Sequence, residues 1–380
     1  MRSLFGFYKS EEDTAGTTEK ASKDPTPISS PKNKSTDALA VPPVFECDVN
    51  AEDPLQEIRP LTDEEKKVFD KIKAGVPELI KDLPPIDPEA LKFVDEEIPL
   101  DIEDWLTDEC IARYVRARKG VYEETKKALR KTIEWRATTR PHAIRPDVVE
   151  IENKTGKMYF NGFDKLSRPV IYMYNHKQNT KEADNQIRWV VYTLEMCIRH
   201  MRPGVEKVTL AIDATHWGFS NSVYLGTAKK FLDTLANHYP ERLGRAVVFM
   251  PPRLFVGFYN LVSPFIDPVT KAKVAFINPN STDDAQAQTD NSSSPWVPIE
   301  ECFEHSKLEK DCYGSWEFQY NHTIYWPAAE KEFAQFKASV VQDKGDKQEQ
   351  DGGDKNEEVK QDDKQAKEET KGEKKEKTDA

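Results

Sequence analysis

Cysteine is scarce in this chain: Cys47, Cys110, Cys197, Cys302 and Cys312 are scattered and odd in number. They form no CxxC pair and no zinc-ligand spacing. Reduced thiols in a reducing compartment are therefore expected, with no disulfide framework and no structural metal. Long apolar runs are missing too, which excludes a transmembrane helix. The patch Leu4, Phe5, Phe7 and Tyr8 is too short for a secretory leader and offers at most a weak touch on a membrane interface. Catalytic signatures are absent: there is no GxSxG, no P-loop and no HExxH. The seven histidines contain no i, i+4 pair; His176 lies near Tyr172 and Tyr174, and Asp213 lies near His216 without a nucleophile elbow. Positive charge is in deficit, with a net charge of -12, which argues against nucleic acid as a partner.

What is present is polar at the ends and ordered between them. Hydrophobic residues make up 37% of the 380 and charged residues 32%, too polar for a chain folded throughout. Residues 1–54 and 337–380 read as disordered tails, the first rich in Ser, Thr, Pro and Lys, the second in Lys, Glu, Asp and Gln. A helical lobe is expected over 55–141. Thr62 and Glu65 form a capping box, Thr107 or Asp108 opens a helix carrying Ile111, Tyr114 and Val115, and Tyr122 to Arg136 forms another. The basic cluster Arg113, Arg116, Arg118 and Lys119 reads as a solvated face.

From Gly156 the period changes from helical to alternating. Two strands are expected around a turn at Asn161–Lys165, then a helix from Asn185 to Met201 and a strand from Val208 to Asp213. A helix capped by Ser220 and a strand at Ala246–Met250 follow. Leu254 to Ile266 is apolar nearly all round: Leu254, Phe255, Phe258, Tyr259, Leu261, Val262, Phe265 and Ile266 leave no polar face. It is too short for a bilayer span, so it must bury itself or meet something apolar that is not protein. Val274–Ile277 is a further strand. Strands alternating with helices predict an α/β fold with a mostly parallel sheet. Residues 278–296 read as an exposed flexible loop, and an aromatic segment ends near Phe336.

Four local patterns, in order, carry a family resemblance. Arg113-Tyr114-Val115-Arg116-Ala117-Arg118-Lys119 resembles an RFLRARK helix, and Asp164-Lys165-Leu166-Ser167-Arg168-Pro169-Val170 a DKDGRPV turn. Tyr239-Pro240-Glu241-Arg242-Leu243-Gly244 is similar to a YPERMG corner, and Asp267-Pro268-Val269-Thr270 with Lys273 to a DPVT-x-x-K step. These are patterns of the CRAL–TRIO lipid-binding family, most closely its yeast secretory phosphatidylinositol-transfer type. The segment Tyr320-Asn321-His322 with Tyr325-Trp326-Pro327 looks closer to a fungal subgroup linked to azole resistance. The resemblance implies a CRAL–TRIO fold over 142–336, with a helical N-terminal lobe and a lipid cavity beside the sheet. Helix 254–266 would be its mobile gate.

The resemblance also implies site residues. Arg118, Glu241, Thr270 and Lys273 sit where the family holds inositol phosphate. The chemistry is sensible: a guanidinium and an ammonium bind a phosphodiester, Glu241 accepts from inositol hydroxyls, and Thr270 donates to phosphate. Taken alone, the same residues fit a solvated basic face, a local ion pair, a turn cap and a strand-edge charge. The positions that bear hydroxyls for phosphatidylcholine in the founding type fall on Val208, Leu210 and Leu235. Choline lipid should therefore bind weakly, and a second, more apolar ligand such as sterol is implied; a register shift of one or two residues is the other reading.

The function expected is phosphatidylinositol binding and transfer by a non-enzyme with no cofactor beyond bound lipid. Its partners would be membrane lipids, the bilayer surface and lipid kinases, with no nucleic acid. A cytoplasmic monomer on intracellular membranes is expected, at the endoplasmic reticulum, lipid droplets or cell periphery. A lipid-responsive scaffold without transfer and a lipid hydrolase are the alternatives.

Overall fold

The structure, a computed structural model, describes residues 41–48, 58–100, 102–218, 225–263, 266, 268–278 and 297–342, with the backbone alone at 225, 228, 261 and 262. The helical lobe comes first: α1 (Asp63–Ala74), the one-turn helices α2 (Val76–Leu79), α3 (Pro88–Leu91) and α4 (Ile102–Trp105), then α5 (Asp108–Ala117) and α6 (Tyr122–Thr139). Thr62 caps α1 as the spacing predicts: Glu65 N–H donates to its hydroxyl at 3.2 Å, and its own N–H donates to Glu65 Oε2 at 2.9 Å. Thr107 caps α5 through the Cys110 N–H at 3.2 Å. The apolar stripes of these helices meet in a core of their own, with Ile72, Ile111, Tyr114, Leu129 and Ile133 buried.

After α7 (Pro146–Asn153) come β1 (Met158–Phe163), β2 (Pro169–Tyr174), α8 (Ala183–Arg199), β3 (Val208–Asp213), α9 (Leu225–His238), β4 (Leu243–Phe249), α10 (Arg253–Val262), α11 (Pro268–Lys271) and β5 (Val274–Ile277). A helix, α12, covers 322–342. The five strands lie in chain order, β1 antiparallel to β2 and every later pair parallel. This is the mixed α/β fold expected, with a mostly parallel sheet.

Strand order that never reverses has a consequence. Right-handed crossovers then put α8, α9 and α10 on one face of the sheet. Met158 and Met173 face Ile187 and Val190 of α8 and Phe231 of α9 across a cavity of about 140 Å³. Farther along the same face, Val248 and Phe276 meet Val256 and Tyr259 of α10. The opposite face carries Tyr159, Tyr172, Tyr174 and Phe249, covered by the 297–320 segment: Phe249 lies 6.3 Å from both Phe303 and Tyr313, ring to ring.

Three expectations need correction. Residues 41–48 are ordered, although they fall in the span read as a tail. Gly162 N–H donates to Val44 O at 2.8 Å, and Phe45 stacks on Phe160 at 5.5 Å. A lone aromatic in a polar stretch gave no periodic signal. At the other end, α12 reaches residue 342, and Lys337 pairs with Asp95 and Glu97 at 2.8 and 2.6 Å, so order continues past 336. Finally, Asn161 and Gly162 belong to β1, and the turn falls at 164–168. Asp164 makes it, accepting from Leu166 N–H at 2.9 Å and Arg168 N–H at 3.0 Å. Gly162 sits at φ 66° where the β1–β2 register shifts, a bulge rather than a turn. Ser220, Leu4, Phe5, Phe7, Tyr8, most of the 278–296 loop and residues 343–380 lie outside the described residues.

Candidate lipid-headgroup site

The corner before β4 is built by buried ionic bonds. Tyr239 OH donates to Glu195 Oε1 at 2.7 Å, and Arg136 Nη1 of α6 donates to the same oxygen at 2.7 Å. Burial works to raise the Glu195 pKa, but Arg136 and Tyr239 hold it down at about 2. Arg242 next reaches back: its Nη1 donates to Glu206 O at 2.9 Å. Glu206 also accepts from Arg116 at 2.9 Å and lies 3.8 Å from Arg113. Burial and repulsion from Arg113 push the Arg242 pKa down to about 9. Arg113 and Arg116 are thus not a solvated face; they pin the lobe to the corner. Gly244 leaves room here for the Arg168 side chain, whose guanidinium would stand 2.7 Å from a Cβ.

These bonds fix Glu241, in the left-handed region at φ 59°, at the amino end of β4. Lys273 stands at the amino end of the adjacent β5, where its carbonyl accepts from Ala246 N–H at 2.9 Å. Parallel pairing therefore brings the two together, and Lys273 Nζ lies 3.7 Å from Glu241 Oε2 with both side chains mostly covered. Thr270, half-buried in α11, is one turn away: Lys273 N–H donates to its carbonyl at 3.1 Å. Arg118 ends α5, and among the described residues its Nη1 donates only to the neighbouring Ala117 carbonyl, at 3.4 Å. It bonds to none of the other three.

Arg59 and Glu65 lie beside Arg118's turn, and sequence reasoning missed both in this role. Arg59 binds Glu65 through two parallel bonds of 2.8 and 2.7 Å. The Arg59 bond holds the Glu65 pKa near 2, burial opposing it. Glu65 packs on Gly120, two residues beyond Arg118, so closely that a Cβ there would be 3.0 Å from its Cγ. Arg59 is raised above its ordinary pKa mainly by its bond to Glu65, and the Glu241 charge contributes. The capping box was the one sequence signal for Glu65, and it indicated a helix start only.

Around the neighbouring apolar face, Val208 is buried and Leu210 and Leu235 are half-buried. Val208 and Leu210 alternate onto the face that bears the helices. Thr209 between them points the other way and donates to Asp164 Oδ2 at 2.6 Å. On α10, Tyr259 is buried against Phe276 at 5.3 Å, and Phe255 and Phe258 lie 5.5 and 5.2 Å from Trp217. Ile266 packs on the same cluster, while Leu254 is 49% exposed. The side chains of Leu261, Val262 and Phe265 lie outside the described residues.

Among the described residues, His176 lies against both Asp213 and His216, its ring 5.5 Å from that of His216. Asp213 bonds to Thr215 rather than to His216 and lies 3.5 Å from His176. The Cys312 thiol nearby is buried and pushed well above its ordinary pKa by burial and by Glu309, so it is no thiolate nucleophile. Among the described residues no group of three His, Cys, Asp or Glu is placed to hold a metal, and no helix is long and apolar enough to cross a membrane.

A sheet with its helices on one face, charged groups at the amino ends of two parallel strands and an apolar helix alongside define an α/β domain with a polar corner beside an apolar face. Residues 153–295 match the CRAL/TRIO domain. A CRAL-TRIO domain-containing protein of Schizosaccharomyces pombe is 39% identical over 223 residues, 59% of this chain and 20% of that protein. Phosphatidylinositol transfer protein PDR17 of Saccharomyces cerevisiae is 32% identical over 235 residues, 59% of this chain and 62% of that protein. The chain thus spans less than two thirds of either relative. The crystal structure of Sfh5 aligns over 58% of this chain and 82% of that chain, at 18% identity and a TM-score of 0.45.

Proposed function

We propose that this chain binds phosphatidylinositol and transfers it between membranes, or presents it to a lipid kinase, without catalysing a reaction. The observation that carries the reading is the Glu241–Lys273 pair at 3.7 Å, backed by Thr270 and by the Arg118 turn. An ammonium at that distance is loosely held, because a good charge-assisted bond is about 2.7–2.9 Å. It is available to a phosphodiester, while Glu241 is freed to accept inositol hydroxyls. One relative, PDR17, bears the name of a phosphatidylinositol transfer protein, which agrees with this.

The acyl chains belong on the apolar face beneath α10, which would swing outward on a bilayer as a gate, with the exposed Leu254 leading. The cavity of about 140 Å³ on the same face, between the sheet and α8 and α9, is too small for them, since drug-sized ligands already fill about 300–1,000 Å³. Entry therefore requires opening. Phosphatidylcholine is largely refused and a more apolar second ligand such as sterol accepted, because Val208, Leu210 and Leu235 give a choline phosphate no donor. On β3 a one-residue shift of register would not supply one, as Thr209 faces away and is committed to Asp164. The protein acts as a cytoplasmic monomer, peripheral on intracellular membranes at the endoplasmic reticulum, lipid droplets or cell periphery. The same small cavity supports a second reading, a lipid-responsive scaffold that binds without transfer.

Vesicle-to-vesicle transfer separates the two. Lys273→Ala and Glu241→Ala should each slow phosphatidylinositol transfer tenfold or more, at about 1.5–3 kcal/mol per lost charged hydrogen bond. Wild-type protein should carry phosphatidylcholine far more slowly. Stoichiometric lipid binding without transfer favours the scaffold, and variants as active as wild type refute the site.

A further inference from the structure

We infer that Arg59 is a further headgroup residue, a second guanidinium that the segment before α1 places beside the Arg118 turn to receive the phosphate. This rests on the headgroup reading above and adds to it a residue outside the matched 153–295 span.

Three observations carry the inference. The first is location. Glu65, to which Arg59 is bound by two parallel bonds, packs on Gly120, two residues beyond Arg118, and the Glu241 charge also acts on Arg59. Arg59 thus sits on the Arg118 side of the site, within electrostatic reach of Glu241. The second is donor capacity. A guanidinium carries five N–H groups. Arg59 spends Nη1 on Glu65 and the Pro60 carbonyl, at 2.8 and 3.1 Å, and one Nη2 hydrogen on Glu65 at 2.7 Å. Its Nε–H and second Nη2 hydrogen have no partner among the described residues, and the side chain is 53% exposed. The third is charge. Among the named groups, Arg118 and Lys273 balance Glu241 and Glu65 when Arg59 is left out. Counting Arg59, three cations stand against two carboxylates, which leaves one positive charge for the single negative charge of a phosphodiester.

Glu65 then holds the guanidinium in place and competes with the lipid phosphate for it. This separates headgroup binding from a purely structural role, in which Arg59 only completes the start of α1. The test measures phosphatidylinositol uptake by the full chain from phosphatidylcholine vesicles doped with phosphatidylinositol. Wild type is compared with Arg59→Ala, Arg59→Lys, Glu65→Gln and Lys273→Ala, with the melting temperature of each recorded. Arg59→Ala should weaken uptake about tenfold or more, the range of one charged hydrogen bond. Arg59→Lys should recover part of the loss. Glu65→Gln, which keeps a capping side chain but removes the competing charge, should bind as tightly as wild type or tighter. Arg59→Ala at wild-type level beside a defective Lys273→Ala overturns the inference and leaves the headgroup reading standing. Glu65→Gln failing as Arg59→Ala does also overturns it, since the pair is then only a brace. If neither Arg59→Ala nor Lys273→Ala changes uptake, the headgroup site itself is misplaced and the inference falls with it.

Discussion

Replacing Glu309 by Gln should make the protein more stable at alkaline pH and leave it nearly unchanged at acid pH. Glu309 is 1% exposed. Its carboxyl accepts from Tyr159 OH at 2.6 Å, Asn161 Nδ2 at 2.7 Å and Tyr174 OH at 3.1 Å, and Tyr172 OH accepts from its backbone N–H at 3.4 Å. The buried thiol of Cys312 bonds to the same Tyr174, and Asp311 adds a like charge nearby. Burial therefore outweighs the three bonds and raises the pKa from 4.5 to about 7. Between those values the folded protein holds a proton that the unfolded chain has released. Stability is then fully present below pH 4.5 and falls as pH rises through 7. At about 1.4 kcal/mol per unit, the loss approaches roughly 3 kcal/mol above pH 8. The amide of Gln mimics the protonated carboxyl and does not titrate. Urea unfolding of both proteins at pH 5 and pH 8.5 isolates the effect, because all other titrations cancel in the difference. A variant whose advantage is the same at both pH values would refute this account of Glu309.

Three further outcomes concern the fold. Removing residues 343–380 should leave the melting temperature and lipid transfer unchanged. Removing everything beyond 320 should unfold the domain, since α12 buries Tyr325, Trp326 and Phe333 at about 1.5–3 kcal/mol each; circular dichroism on heating checks both. Gly314→Ala should cost about 3 kcal/mol or more in a urea titration, because its Cβ would stand 1.8 Å from the Leu308 carbonyl oxygen.

Elements written in a local period were legible in the sequence. Val208–Asp213, Val274–Ile277 and the capped starts at Thr62 and Thr107 needed only alternation or a hydroxyl at the right spacing. The Glu241–Lys273 pair was reachable through resemblance alone, because parallel pairing of β4 and β5 makes neighbours of residues that nothing local connects. Arg113 and Arg116 looked solvated for the same reason: their partner Glu206 is some 90 residues on. The bridge of Asn161, which accepts from Val44 N–H at 2.8 Å and donates to Glu309 at 2.7 Å, joins three distant segments and leaves no mark in any short window.

That bridge bears on the order in which the chain acquires its structure. Phe45 rests on Phe160 and edge-on against Tyr325, with 5.5 Å between centroids in each case, and Tyr325 OH donates to the Phe160 carbonyl at 2.9 Å. An early segment of the chain thus lacks half its seat until residues some 280 positions later have left the ribosome. Until then the outer edge of β1 is open to any other strand. Such long-range closure is slow. The nascent protein must pass through a stage in which the sheet exists but its border is unguarded, and chaperone dependence during synthesis should be concentrated in that interval.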